Sequence, residues 1–185
     1  MKYIKTLLFS ITICAALAAQ AQQYRPTDKG SEVSFSIVNH LLGSSTVTGH
    51  FEGLTGAITF DPNNLATASF NVSVDINTIS TGIGMRDKDL KKEKFFNYDK
   101  YKDITIKSTS VTKGTTPNVY ILHGQLTIKG TTHAISLPFS ATPSSGGIMF
   151  RGAFKINRKD YKVGENENKI SDELTVSLSV NAVKR

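Results

Sequence analysis

Apolar residues fall on every second position through most of this chain, and that period restricts its fold more than any other feature. Val33, Phe35 and Ile37 alternate with Glu32, Ser34 and Ser36, and Phe70, Val72, Val74 and Ile76 alternate with Ser69, Asn71, Ser73 and Asp75. The same spacing recurs at Ile104 and Ile106, at Tyr120, Leu122, Leu126 and Ile128, and at Ile135, Leu137 and Phe139. It appears again at Ile148, Phe150, Phe154 and Ile156, and closes the chain at Leu174, Val176, Leu178 and Val180. Successive side chains of a strand point to opposite faces, so this spacing gives strands with one buried and one wet face, as in antiparallel sheets. Turn residues separate the runs: Asp61-Pro62-Asn63-Asn64, Lys113-Gly114, Lys129-Gly130 and Pro143-Ser144-Ser145-Gly146-Gly147. About eight strands result, with residues 46–60 read as one hairpin. Many short strands without helical spacers predict a sandwich or a barrel. Gly49, Gly53, Gly56, Gly124 and Gly152 interrupt strand-like sequence; closing a sheet on itself needs such bends, which favours the barrel.

Two stretches break the alternation. Residues 81–103 are polar and charged, and one or two short helices are expected there, with Asp87 available as an N-cap or as an i,i+4 partner of Lys91. Residues 157–173 read as a long loop with at most one helical turn. No internal repeat or linker is visible, so one domain over residues 22–185 is expected.

The N-terminus predicts export. Lys2 and Lys5 precede an apolar stretch from Leu7 to Ala19, and Ala19-Gln20-Ala21 fits a signal-peptidase site, so residues 1–21 are read as a signal peptide. The stretch is shorter than the roughly 20 residues of a spanning helix. Cys14 lacks the small residue that lipoprotein processing wants before it, since Ile13 stands there. It is the chain's single cysteine, so residues 22–185 offer neither a disulfide nor a thiolate ligand or nucleophile. The expected location is the periplasm or the exterior.

Composition narrows function further. The net charge is +7, with acidic and basic residues interspersed; transient contact with an anionic membrane is compatible with it, as is ordinary surface charge. His40, His50, His123 and His133 lie on different runs without metal-ligand spacing. No nucleophile elbow, P-loop or dinucleotide fingerprint is present, and no basic-aromatic cluster points to nucleic acid.

Taken in order, the motifs resemble those of the lipid/polyisoprenoid-binding YceI-like family. Asp28-x-x-Ser31-x-Val33-x-Phe35-x-Ile37 resembles its opening strand, and Val47-x-Gly49-x-Phe51 with Leu54-x-Gly56 the next signature. Ile58-x-Phe60-Asp61-Pro62 and Val74-Asp75-x-x-Thr78-Ile79 follow. Arg86-Asp87-x-x-Leu90-Lys91, Phe95-Phe96 and Tyr101-x-x-Ile104 are similar to its most specific run. Gly124-x-Leu126-Thr127-Ile128-Lys129-Gly130, Ile156-Asn157-Arg158-x-Asp160-Tyr161 and Ile170-Ser171-Asp172-Glu173-Leu174-x-Val176 complete the set, which covers residues 28–183. The chain departs from the pattern at Asp89, where a histidine is common, and at Asn97, where an aspartate is usual.

The resemblance implies a lipocalin-like eight-stranded antiparallel β-barrel with a short helical crossing segment, holding an isoprenoid quinone, a polyprenyl lipid or another long-chain amphiphile. The candidate lining residues are Phe35, Ile37, Phe51, Phe70, Val72, Leu126, Phe139, Phe150 and Phe154, with Leu90, Phe95 and Phe96 at the mouth. Arg86 and Lys91 are candidates for a polar head group. No catalytic residue, metal or cofactor other than the bound lipid is expected, and a homodimer stays open. Two other readings compete: a packed envelope module without ligand, and a lipid cyclase or isomerase. The latter would need Asp75, Glu52 or His50 to face inward.

Overall fold

A computed structural model describes residues 22–41 and 43–185; the expected signal peptide, residues 1–21, lies outside the described residues. The alternating runs become the strands β1 (Gln23–Asn39), β2 (Ser45–Phe51), β3 (Thr55–Thr59), β4 (Ser69–Asp75), β5 (Asp103–Lys113), β6 (Val119–Ile128), β7 (Thr131–Ser144), β8 (Gly147–Asn157) and β9 (Ile170–Lys184). Every pairing between strands is antiparallel, running in sequence order from β3 to β9, and β9 returns to β1 from Tyr24↔Lys184 to Asn39↔Ile170. That last ladder closes the barrel; β2 pairs with β1 alone among the strands, and its outer edge meets the chain after β4 through the single bridge His50↔Ser80.

The barrel has eight staves because β2 and β3 together make one of them. Residues 46–60 do not form a hairpin, contrary to the sequence reading. Both short strands pair with the same edge of β1, through Val33↔Phe51 and Tyr24↔Ile58, and they run in line. Glycine makes the break between them. Gly53 has φ +72° and Gly56 φ +124°, and a Cβ on Gly56 would stand 2.1 Å from the Asn71 carbonyl oxygen. Only a residue without a side chain takes such a backbone at that distance. Asp28 Oδ1 accepts the Leu54 N–H at 2.8 Å, satisfying a donor that the break leaves unpaired. A second irregularity bends β1 between Thr27 and Glu32. There Ser31 Oγ accepts the Asn181 N–H at 2.8 Å. Asp28 and Ser31 therefore serve the backbone of a strongly bent strand.

The strands' parity sorts side chains as expected: along β6, Tyr120, Leu122, Gly124, Leu126 and Ile128 are all buried. The connections fall at two ends. At the far end lie residues 60–68, 114–118 and 145–146; at the other lie 40–44, 76–102, 129–130 and 158–169. The second end contains the crossing segment, with one helix, α1 (Gly84–Leu90), followed by turns. Asp87 is not its N-cap, since Ile83 holds that position; Asp87 lies in the first turn and accepts the Thr81 N–H at 2.9 Å. Asn97 takes φ +53°, a left-handed conformation that asparagine and aspartate tolerate better than most residues.

Candidate functional site

The barrel interior is packed unevenly along its axis. At the far end Phe60, Phe70, Tyr120, Phe139 and Phe150 form a plug of rings. Phe60 lies 5.1 Å from Tyr120, 5.4 Å from Phe150 and 6.0 Å from Phe139, centroid to centroid, all near edge-to-face. Above the plug the side chains become aliphatic and stop filling the space. A cavity of about 180 Å³ opens there, and a smaller void of about 60 Å³ lies toward the plug. Leu54, Val72, Ile106, Leu178 and Val180 border both, so a thin aliphatic septum separates them.

Of the residues singled out in the sequence, Phe35, Ile37, Phe51, Val72, Leu90, Phe95, Phe96, Leu126 and Phe154 line the larger cavity. Phe70, Phe139 and Phe150 do not; they border the smaller void and belong to the plug. The mouth, the end with the crossing segment, closes over the cavity with Leu90, Phe95 and Phe96. Phe96 meets Phe51 edge-on at 5.9 Å, which holds the segment to the barrel. Phe35 packs 5.8 Å from Phe51, centroid to centroid, and Gly49 gives its ring room: a Cβ on Gly49 would lie 2.5 Å from that ring.

Arg86 and Lys91 are not among the lining residues. Arg86 donates from Nε to Thr81 Oγ1 at 2.8 Å and from Nη2 to the Thr81 carbonyl at 2.9 Å. Lys91 Nζ donates to Asn77 Oδ1 at 3.0 Å. Both cations are thus engaged inside the connection between β4 and β5. The inward-facing acid or base required by an isomerase does not come from His50 or Glu52, which are exposed, and Asp75 accepts the Asn77 N–H at 2.7 Å.

The wall contains residues the sequence did not single out as lining. Loop 158–169 contributes Arg158, Tyr161 and Val163, and β9 contributes Leu174, Val176, Leu178 and Val180. The β9 set was legible as an alternating run. The loop set was not, because its inward turn depends on one buried cation. Arg158 is 2% exposed. Its Nε donates to the Ser171 carbonyl at 2.9 Å, Nη1 to the carbonyls of Val163 (3.0 Å) and Gly164, and Nη2 to those of Glu167 and Ile170 and to Asp172 Oδ1 at 3.1 Å. Burial lowers the guanidinium from its usual value, while Asp172 and Glu167 act in the other direction. Tyr161 is the other ionisable lining residue, and burial pushes its phenol up. The loop is tied to the crossing segment by Lys94 Nζ on Glu167 Oε2 at 2.8 Å and by the Gly164 N–H on the Lys94 carbonyl at 2.9 Å. Lys129, at the β6–β7 turn, donates to the Lys162 carbonyl at 2.7 Å; burial lowers its ammonium, with Glu165 and Glu93 opposing.

The site is thus an apolar chamber with a floor of packed rings, a wall of antiparallel sheet and a roof of two cross-linked loops. Among the described residues its only ionisable lining groups are Arg158 and Tyr161. No cluster of three or more metal-ligating side chains occurs among the described residues.

Comparison with known proteins gives a consistent result. Residues 24–182 match the family model of the YceI-like domain. The chain is 30% identical to the UPF0312 protein YE1254 of Yersinia enterocolitica, covering 97% of each sequence. It is 27% identical to the UPF0312 protein PC1_2518 of Pectobacterium carotovorum, covering 98% of this chain and 99% of that one. Among solved structures it resembles BcnA of Burkholderia cenocepacia (TM-score 0.76, 21% identity, 84% of this chain and 98% of that one). It also resembles the Campylobacter jejuni YCEI protein (TM-score 0.67, 25% identity, 76% and 86%). A third likeness is to a polyisoprenoid binding domain from Saccharophagus degradans (TM-score 0.69, 16% identity, 90% and 100%).

Proposed function

The chain belongs to the YceI-like family, and on that premise we propose that it binds the hydrocarbon chain of a lipid or isoprenoid inside the barrel and carries or sequesters it. The observation that supports this most is the cavity itself, about 180 Å³ of space bounded almost wholly by aliphatic and aromatic side chains. Apolar cavities of about 150 Å³ stay dry and take apolar guests. The related fold in Saccharophagus degradans is described as a polyisoprenoid binding domain, which is the ligand chemistry such a chamber suits.

Size restricts the ligand. The space admits one slim chain, and a longer portion is accommodated when the septum residues change rotamer and join the two voids. Each methylene buried contributes about 0.8 kcal/mol, and association costs about 4–15 kcal/mol before net affinity appears. Long chains therefore win over short ones. Arg158 is a poor receptor for a polar head group, because its N–H donors are already directed at the loop's own oxygens. Tyr161 with its raised phenol is a poor base. Both facts favour binding over catalysis. We further propose that the protein works in the periplasm or outside the cell, on the strength of residues 1–21.

The test is to purify the protein from a bacterial host without detergent, extract it with organic solvent and identify the extract by mass spectrometry. A stoichiometric isoprenoid or long-chain acyl compound is the expected result. An empty protein that also refuses quinones, polyprenols and fatty amides would leave the packed interaction module as the better reading.

A further inference from the structure

Three large apolar side chains stand exposed among the described residues: Leu41 (54%), Ile83 (53%) and Met85 (78%). Chance would scatter them, yet all three lie in connections at the mouth. The cations that the connections carry gather at the same end. The mouth connections, residues 40–44, 76–102, 129–130 and 158–169, contain twelve Lys or Arg against seven Asp or Glu. The far-end connections, residues 60–68, 114–118 and 145–146, contain Asp61 alone as a charged residue, and the strand-end residues Lys113, Lys184 and Arg185 supply the cations at that end. Lys88, Lys92, Lys94, Lys100, Lys102, Lys162 and Lys169 are all exposed. Lys102 and Lys100 lie over the rings of Tyr98 and Tyr101, at 3.9 and 5.3 Å from the centroids.

Protruding apolar tips, half-buried tyrosines and a surrounding excess of lysine are the composition of a surface that rests at a lipid headgroup layer. The same segment that carries Ile83 and Met85 carries Leu90, Phe95 and Phe96 into the cavity. The exposed apolar surface is therefore continuous along the chain with the chamber's roof.

We propose that the mouth docks on an anionic phospholipid bilayer, with Ile83 and Met85 entering the acyl boundary and the lysines at headgroup level. Docking in this orientation presents the roof, rather than the floor of packed rings, to the membrane. A lipid chain then passes between bilayer and barrel without crossing water. The passage rests on the lipid-binding function proposed above; the docking does not.

The experiment is sedimentation with vesicles of phosphatidylglycerol and phosphatidylcholine in equal parts, against vesicles of phosphatidylcholine alone. The protein is expected to sediment with the anionic vesicles and to be released as salt rises. The double variant Ile83→Asp, Met85→Asp should weaken that binding about tenfold or more. Asn63→Asp with Thr115→Asp adds the same charge at the far end and should leave it unchanged, with circular dichroism checking that both variants fold. Failure of the unaltered protein to bind anionic vesicles, or equal effects of the two variant pairs, overturns the proposal. A protein that yields lipid on extraction yet ignores the vesicles overturns docking alone; one that binds vesicles by this face but never carries lipid supports docking and removes the carrier function.

Discussion

The guanidinium of Arg158 meets six oxygens, five of them backbone carbonyls from residues 163 to 171. A single side chain thus replaces the secondary structure that this loop lacks. Arg158→Met would leave buried carbonyls without donors, at about 1–3 kcal/mol for each that water does not reach. We expect a total loss of about 3–5 kcal/mol in urea unfolding, and Arg158→Lys should recover only part of it, because an ammonium lacks the planar fork. A loss below about 1 kcal/mol would show that the loop holds its shape by other means. The cavity has its own test. Val176→Trp projects a ring into the open space and should reduce lipid uptake about tenfold at a stability cost of no more than about 3 kcal/mol. The same replacement at Phe70 is less informative, since Phe70 already packs 5.4 Å from both Phe139 and Phe150. Parity alone made the inward-facing side chains legible. It could not divide them between plug and cavity, because that depends on axial position, which emerges only when strands of different length are set in register. Arg86 and Lys91 show the complementary limit: a cation's sequence neighbourhood does not say which carbonyl or amide it will find.

At the level of elements, the crossing segment and loop 158–169 behave as one roof, and Lys94–Glu167 is the bond that joins their side chains. The hydrogen bond from Lys94 holds the Glu167 carboxyl below its ordinary value, with the Lys169 N–H helping. A lowered folded-state value means that the pair's contribution is complete above the unfolded carboxyl's value near 4.5 and disappears as pH falls through the lowered one. Amide protection in residues 158–169, taken relative to the intrinsic exchange rate at each pH, should therefore fall in acid, and Lys94→Met should flatten that response. An unchanged acid profile in the variant would assign the effect to other carboxylates. The broken stave makes a second prediction. Gly56→Ala must place a methyl against the Asn71 carbonyl at a φ of +124°, and we expect it to cost more than about 1 kcal/mol in thermal or urea unfolding. The glycines at 53 and 56 were visible as interruptions, and a bend was the right expectation. A hairpin was the wrong geometry for it, because in-line and hairpin connections share the same turn residues and differ in whether the second strand folds back on β2 or continues along β1.

For the molecule as a whole, the alternation and the closing glycines made the barrel legible before any coordinates. The sequence did not show that the barrel is unevenly filled. If the chamber holds a chain, binding stabilises the folded state by mass action, about 2.7 kcal/mol at a ligand concentration one hundred times Kd. Solvent-stripped protein should thus melt at a lower temperature than protein as purified, and adding back the extracted lipid should restore the difference. No shift in either direction would count against a chain inside the barrel. The plug of Phe60, Phe70, Tyr120, Phe139 and Phe150 has a consequence for traffic. A barrel plugged at its floor is a cul-de-sac: whatever goes in must back out by the same way, and a second guest cannot push the first one through. Under the carrier function proposed above, donor and acceptor would take turns at one threshold, and exchange would be a shuttle with two separate stops rather than a conduit joining them.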